Sequence, residues 1–112
     1  MTELDAVLRY SELLILYRDL LSDAQKEILD DYFCVNLSIS EIAENRKTSR
    51  SAVEDAVKKG KNKLDEFEDK LGSLKLLNQV RELKAHTKDK EIISKLDEME
   101  RTLRHGIWII DW

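Results

Sequence analysis

The side chains best placed to do chemistry in this sequence fall in one stretch, residues 38–59, which reads SISEIAENRKTSRSAVEDAVKK. Cations gather there and just beyond. Residues 46–63 hold Arg46, Lys47, Arg50, Lys58, Lys59, Lys61 and Lys63 against Glu54 and Asp55, a net of +5. Residues 1–45 carry three basic and ten acidic side chains, and residues 64–112 nine basic and eleven acidic. With the whole chain at −4, attraction to a phosphate backbone is confined to that one window. Elsewhere the reactive types are scattered. His86 and His105 are nineteen residues apart, with no cysteine or clustered carboxylates at metal-ligand spacing. No glycine-rich phosphate loop exists, and the Asp and Glu residues alternate with Lys as solvated helix faces do. The expectation is a binding module, not an enzyme, with no metal and no cofactor.

Composition narrows the class. Hydrophobic residues make up 42% of the 112, enough for a real core, while 38% are charged and proline is absent. Rich in Leu, Glu, Lys and Ala, such a chain favours helices with solvated faces over strands, which need more turn residues and alternating β-branched positions. One cysteine cannot form an intrachain disulfide, so a reducing compartment is expected. Cys34, following Tyr32 and Phe33 on an apolar helix, reads as a buried packing residue. Acidic Glu3 and Asp5 stand where a signal peptide needs positive charge. The densest apolar run, Leu13 to Tyr17, is far too short to cross a bilayer. The expected location is the cytoplasm, without membrane insertion.

Local signals divide the chain into helices that would position the basic window. Thr2 and Asp5 form a capping-box pair opening a first helix to about Leu20. Its middle, with Leu13, Leu14, Leu16 and Tyr17, is apolar nearly all round and so packs on two sides. Ser22, with Gln25 three residues on, caps a second helix whose inner face is Ile28, Leu29, Tyr32 and Phe33, ending at Asn36. Ser38 and Glu41 open a short third helix with Ile42 and Ala43 inward. Ser49 caps a fourth, with Val53, Val57 and Leu64 inward, running through Gly60 to about Leu71. A glycine inside a helix costs about 1 kcal/mol relative to alanine. Gly72 and Ser73 read as a stop followed by a new N-cap. Leu74, Leu77, Val80 and Leu83 mark a fifth helix. Ile92, Leu96, Met99 and Leu103 then form a narrow seam suited to a two-helix contact, within the chain or with a second copy. The tail ends Ile107, Trp108, Ile109, Ile110, Asp111, Trp112, too apolar to be loose, and is expected to dock on the core or to meet another chain.

Within this plan residues 38–59 form a helix-turn-helix. The small Ala43 lets the second helix cross closely, and Ile42, Val53 and Val57 lock the crossing. Ser49 caps the second helix and aims its first turns outward, where they can enter a major groove. The interface then comprises Ser49 at the cap, Arg50, Ser51, Glu54, Asp55 and Lys58 at the reading positions, and Lys59, Lys61 and Lys63 on phosphates. Two alternatives stay open. Glu54 and Asp55 also serve as dipole-stabilising acids near a helix start, and the lysines from 58 to 63 also suit a solvated face.

The stretch from Leu16 to Leu71 resembles the YlxM-like proteins, whose helix-turn-helix is similar to that of sigma factor region 4. The residues that carry the resemblance are Leu20-Leu21-Ser22 with Gln25, Tyr32, the run Ser40-Glu41-Ile42-Ala43-Glu44, Ser49-Arg50, Ala52-Val53, Asp55, Val57-Lys58, and the Leu64 to Leu71 continuation with Glu68 and Lys70. The resemblance implies a DNA-binding fold and a regulatory role linked to the signal recognition particle, a bacterial setting consistent with a cytoplasmic protein. Two positions depart from it. Lys47 and Thr48 stand where the family places glycine and an aliphatic residue. A left-handed lysine costs roughly 1 kcal/mol, so a rebuilt turn is expected.

Together these readings predict an all-α fold. A helix-turn-helix core of about four helices would occupy residues 1–71, and a helical extension with its apolar tail, residues 72–112, would serve dimerisation or docking. Two functions compete. One is a homodimeric regulator of transcription that binds double-stranded DNA. The other is a protein-interaction module acting on the signal recognition particle or its GTPase.

Overall fold

Helix α1, Glu3–Tyr17, opens on Thr2, whose hydroxyl accepts from the Asp5 N–H while the Asp5 carboxylate accepts from the Thr2 N–H. Those two bonds satisfy two of the donors a helix start leaves unpaired. This computed structural model describes residues 2–105; the apolar tail from 107 to 112, for which docking or dimer contact is expected, lies outside the described residues. The helix stops at Tyr17, and a tighter 3₁₀ turn carries the chain over Arg18–Leu20. The first helix is therefore shorter than its hydrophobic pattern implies. Leu13 and Leu14 are fully buried because α1 is flanked on several sides, by α4 and the end of α2 and by the two C-terminal helices. Near its start, Leu4 and Leu8 share the helical spacing yet stay exposed.

Helix α2, Asp23–Leu29, is capped by the Ser22 hydroxyl, which accepts from the Gln25 N–H. The Gln25 side chain does not reach back; its oxygen accepts from Lys63 instead. The helix widens over Asp30–Cys34, where the Val35 N–H donates to the Asp30 carbonyl at 2.9 Å, and ends at left-handed Asn36, φ 65°. Leu29 and Phe33, four apart, point inward. Cys34, one position past Phe33, is rotated off that face and is exposed. The expectation of a buried packing cysteine is thus corrected: neighbouring apolar residues in sequence do not share a helical face. Its thiol is nonetheless held above its ordinary pKa, by partial desolvation first and by the Asp30 carboxylate second, which disfavours the reactive thiolate.

Helix α3, Ile39–Arg46, carries the full capping box between Ser38 and Glu41. Helix α4, Arg50–Leu71, starts at Ser49, whose hydroxyl accepts from the Ala52 N–H at 3.1 Å, and buries Val53, Val57, Gly60 and Leu64. Gly60 is no weak point in the pattern but a requirement of the packing. A Cβ there would stand 2.6 Å from Leu29 Cδ1 and 2.9 Å from Cδ2, so α2 can approach α4 this closely only over a bare backbone.

Gly72, φ 66°, turns the chain from α4 into α5, Ser73–Ala85. Ser73 does not cap α5 as its sequence position implies. The Glu68 carboxylate, from the last turn of α4, accepts from the N–H groups of Leu74 and Lys75. Tyr17 completes the node: its hydroxyl donates to Glu68 at 2.6 Å and accepts from the Ser73 N–H at 2.9 Å. Leu74, Leu77 and Val80 are buried, whereas Leu83 is exposed at the far end of the stripe. Asp89 accepts from the N–H groups of Glu91 and Ile92 to start α6, Lys90–His105. Helices α5 and α6 form an antiparallel hairpin, tied by Lys84 to Asp97 and Glu100. Leu96 is buried within it, so part of the predicted seam closes inside the chain. Leu74 and Leu77 belong to the same apolar cluster as Leu14, Ile42 and Val53, and Leu103 packs on it. The fold is all-α, with helix-turn-helix α3–α4 held against α1 and α2.

Candidate nucleic-acid interface

The turn between α3 and α4 fixes how the second helix leaves the body. Lys47 adopts the left-handed conformation, φ 54°, ψ 46°, and the Thr48 N–H donates to the Ala43 carbonyl at 3.0 Å. The expected rebuilding of this turn does not occur. Packing of Ile42 and Ala43 against Val53 and Val57, all buried, outweighs about 1 kcal/mol of left-handed strain at a lysine. From the last turn of α3, Arg46 reaches α2 and its wide turn, donating to Glu27 at 3.1 Å and Asp31 at 2.9 Å. Those carboxylates hold the guanidinium protonated even more firmly than usual, Asp31 contributing most. The first helix of the motif is pinned to α2 by both packing and charge.

Along α4 the nine residues assigned to the interface separate by face. Ser49 is consumed as the cap. Arg50 and Ser51 are exposed at the first turn. Ser51, Glu54, Lys58 and Lys61 succeed one another at steps of three and four, forming one ridge. Asp55, Lys59 and Lys63 form a second ridge. There Lys59 pairs with Asp55 at 2.9 Å, and Lys63 donates to Gln25 of α2 at 3.3 Å. The structure therefore brings Arg50, Ser51, Glu54 and Lys58 together at the leading end of α4 and turns Lys59 and Lys63 away from them. The positive field is also smaller than the sequence count. Arg46 is neutralised by two carboxylates and Lys59 by one, while Lys47, Arg50, Lys58, Lys61 and Lys63 make no ion pair among the described residues.

Beside the first ridge lies an open groove of about 440 Å³, walled by Tyr10 of α1, Tyr32, Ile39 and Val57, and edged by Glu54, Lys58, Lys61 and Asn62. Tyr10 is fixed there: its ring stacks on Phe33 at 5.3 Å, its hydroxyl donates to Asp65 at 2.8 Å, and Lys61 Nζ lies 5.0 Å over it. Desolvation, then the Asp65 carboxylate, raise the Tyr10 pKa, so the phenol stays a neutral donor. Among the described residues no group of three or more His, Cys, Asp or Glu side chains could hold a metal ion. No described helix is long and apolar enough to cross a membrane.

A family model described as "UPF0122: Putative helix-turn-helix protein, YlxM / p13 like" matches residues 4–104. The chain belongs to the UPF0122 family. Curated relatives agree. A UPF0122 protein of Malacoplasma penetrans is 41% identical over 100 residues, covering 89% of this chain and 92% of that protein. One of Fusobacterium nucleatum is 39% identical over 98 residues, covering 85% and 95%. The Bacillus subtilis protein named YlxM is 33% identical over 102 residues, covering 85% of this chain and 93% of its own. The family match extends the resemblance seen over Leu16–Leu71 to residues 4–104, α5 and all but the last residue of α6 included. UPF0122 is described by its helix-turn-helix and not by a catalytic activity.

Three contributors to this UPF0122 site escape sequence reading. Tyr10 is fifty-five residues from Asp65, and nothing local announces that contact. Tyr32 reads as core, yet it is half-buried and lines the groove. Asn62 sits between Lys61 and Lys63 and is hidden by their charge. Helical spacing was the available signal: Asn62 lies four residues after Lys58 and shares its ridge.

Proposed function

We propose that this protein is a cytoplasmic, homodimeric regulator that binds double-stranded DNA through α3 and α4. One observation carries the reading: the leading turns of α4 bury Val53 and Val57 while leaving Arg50, Ser51, Glu54 and Lys58 exposed. That is the presentation a recognition helix needs in a major groove. Arg50 and Lys58 supply cations that are not spent on ion pairs, and Lys61 extends them along the groove. Glu54 on the same ridge favours a cytosine amino group over a bare phosphate. Lys59 and Lys63 act as secondary phosphate contacts, since each is engaged on the far ridge.

The test is duplex affinity by fluorescence anisotropy at two salt concentrations. Removing one lysine–phosphate pair lowers the slope of log K against log salt by about 0.9. Lys58→Glu is expected to weaken binding across sequences and to flatten that slope by about 1. Arg50→Ala, if Arg50 reads a base, should relax sequence preference instead. No duplex binding at low salt would end this reading.

A second reading, a module acting on the signal recognition particle or its GTPase, draws on Leu4 and Leu8. They stand exposed one turn apart on α1, within the acidic first 45 residues. Isolation of such a complex that Leu8→Glu abolishes and Lys58→Glu leaves intact would favour it over DNA binding.

A further inference from the structure

The groove beside the first ridge of α4 is walled by four elements: Tyr10 of α1, Tyr32 of the widened end of α2, Ile39 of α3 and Val57 of α4. Its volume of about 440 Å³ falls in the range of small-molecule pockets. The aromatic wall is braced from behind. Phe33 stacks on Tyr10 at 5.3 Å and meets Tyr32 edge-on at 4.9 Å. Along the rim stand Glu54, Lys58, Lys61 and Asn62. Glu54 and Lys58 are four residues apart, the spacing at which Asp55 pairs with Lys59 at 2.9 Å and Glu66 with Lys70 at 2.9 Å, yet they make no ion pair. The Tyr10 hydroxyl is taken by Asp65, and Lys63 by Gln25. Among the described residues, by contrast, the Glu54 carboxylate, the Lys58 ammonium, the Asn62 amide and the Tyr32 hydroxyl have no hydrogen-bond partner within the protein. Elsewhere α4 neutralises its own charges; here it leaves them around an aromatic recess.

We propose that this groove binds a free nucleoside monophosphate whose base carries an exocyclic amino group, adenosine 5′-monophosphate being the simplest case. The order of the groups selects that class. Glu54 and Lys61 are seven residues apart on α4, two turns or about 10 Å. A carboxylate therefore marks one end of the groove and a cation the other, with an apolar floor between. The carboxylate accepts from an exocyclic amino group and repels phosphate, so the base edge lies at Glu54 and the phosphate at Lys61, with Lys58 beside it. Between those ends the flat ring meets Tyr32, Ile39 and Val57. Lys61 is already held at the rim by the Tyr10 ring, 5.0 Å from its Nζ. The span is about the reach from an adenine amino group to its 5′-phosphate, whereas inorganic phosphate or a lone base answers only one end. This deepens the proposed function, because Lys58 and Lys61 serve both ligands and an occupied groove withdraws them from duplex phosphates. Only that competition rests on the DNA reading. Nucleotide binding itself is measured without DNA, so the two readings can fail separately.

Isothermal titration calorimetry of the full chain is expected to give adenosine 5′-monophosphate a dissociation constant on the order of 100 µM, since the open rim leaves part of the ligand in water. Ribose 5-phosphate, which lacks the base, should bind at least about tenfold more weakly. Uridine 5′-monophosphate, which lacks the amino group, should also bind about tenfold more weakly. In Glu54→Ala the preference over the uridine nucleotide should vanish without weakening ribose 5-phosphate, a pattern that misfolding would not give. Lys61→Gln should weaken the adenine nucleotide about fivefold. Methyl resonances of Ile39 and Val57 should shift during the titration. No binding at about 5 mM nucleotide overturns the proposal. Ribose 5-phosphate binding as tightly as the nucleotide reduces the groove to a basic rim and overturns it as well. So does a single-stranded oligonucleotide that shifts those methyls where the mononucleotide does not, which assigns the recess to a nucleic-acid strand. A duplex that binds undisturbed by saturating nucleotide overturns the shared use of Lys58 and Lys61.

Discussion

Replacing Gly60 by alanine sets two opposing effects against each other, and the packing should win. In an exposed helix the change would stabilise by about 1 kcal/mol through backbone entropy. Here the new Cβ would lie 2.6, 2.9 and 3.0 Å from Cδ1, Cδ2 and Cγ of Leu29. Leu29 is fully buried and cannot simply swing aside, so helices α2 and α4 must part or Leu29 must leave its rotamer. Overpacking of this kind costs about 1–3 kcal/mol. The net expectation is a loss centred on about 1 kcal/mol and no more than about 2, or a fall in Tm of roughly 5 °C for a domain of this size. Thermal and urea unfolding followed by circular dichroism would measure it. A double-mutant cycle isolates the cause. Leu29→Ala alone should cost about 2–5 kcal/mol. In that background Gly60→Ala has room and should be neutral or stabilising, a coupling of at least about 1 kcal/mol. If Gly60→Ala is as stable as the parent, or costs the same in both backgrounds, close helix approach is not why glycine stands at 60. Since α2 supports the buried face of α4, the outcome bears on the direction in which Arg50 and Lys58 project.

Three further expectations follow from the caps and turns. Lys47→Gly relieves a left-handed lysine and should stabilise by about 0.5–1 kcal/mol in the same unfolding assays, without altering α3 or α4. Glu68→Gln removes the charge that caps α5 and receives Tyr17; a loss of about 1–2 kcal/mol is expected, with hydrogen exchange accelerated at the amides of Leu74 and Lys75. Glu41 is held below the ordinary glutamate range by its hydrogen bonds with the Ser38 N–H and hydroxyl. A depressed carboxyl stabilises above its unfolded pKa and loses that contribution as pH falls through its folded pKa. Exchange protection at the first turn of α3 should therefore drop in acid, and Glu41→Gln should remove most of that pH dependence.

Much of the fold was legible because its signals are local. Thr2 with Asp5, Ser38 with Glu41, and Ser49 with Ala52 are contacts three residues apart, so the chain announces where α1, α3 and α4 begin whatever packs around them. Gly72 marks its own turn in the same way, and helical spacing alone placed Val53, Val57 and Leu64 inward. The same logic fails for Ser73, because Glu68 and Tyr17 arrive from elsewhere to cap α5. It fails for Cys34, whose apolar neighbours occupy a different face.

By itself, then, the sequence determined the helical class, most helix starts and the exposure of Arg50, Ser51, Glu54 and Lys58, since each depends on hydrogen bonds or periodicity spanning a few residues. Tertiary structure decided which cations remain available, because Arg46 meets Glu27 and Asp31 only when α3 is laid on α2. It decided that Gly60 is an asset, through a Leu29 thirty-one positions away. It also decided that Tyr10, from the far end of the chain, walls the groove beside Lys58 and Lys61. Contacts between residues distant in sequence depend on how whole helices cross, and that angle is set by the summed packing of the core, which no short window of residues encodes.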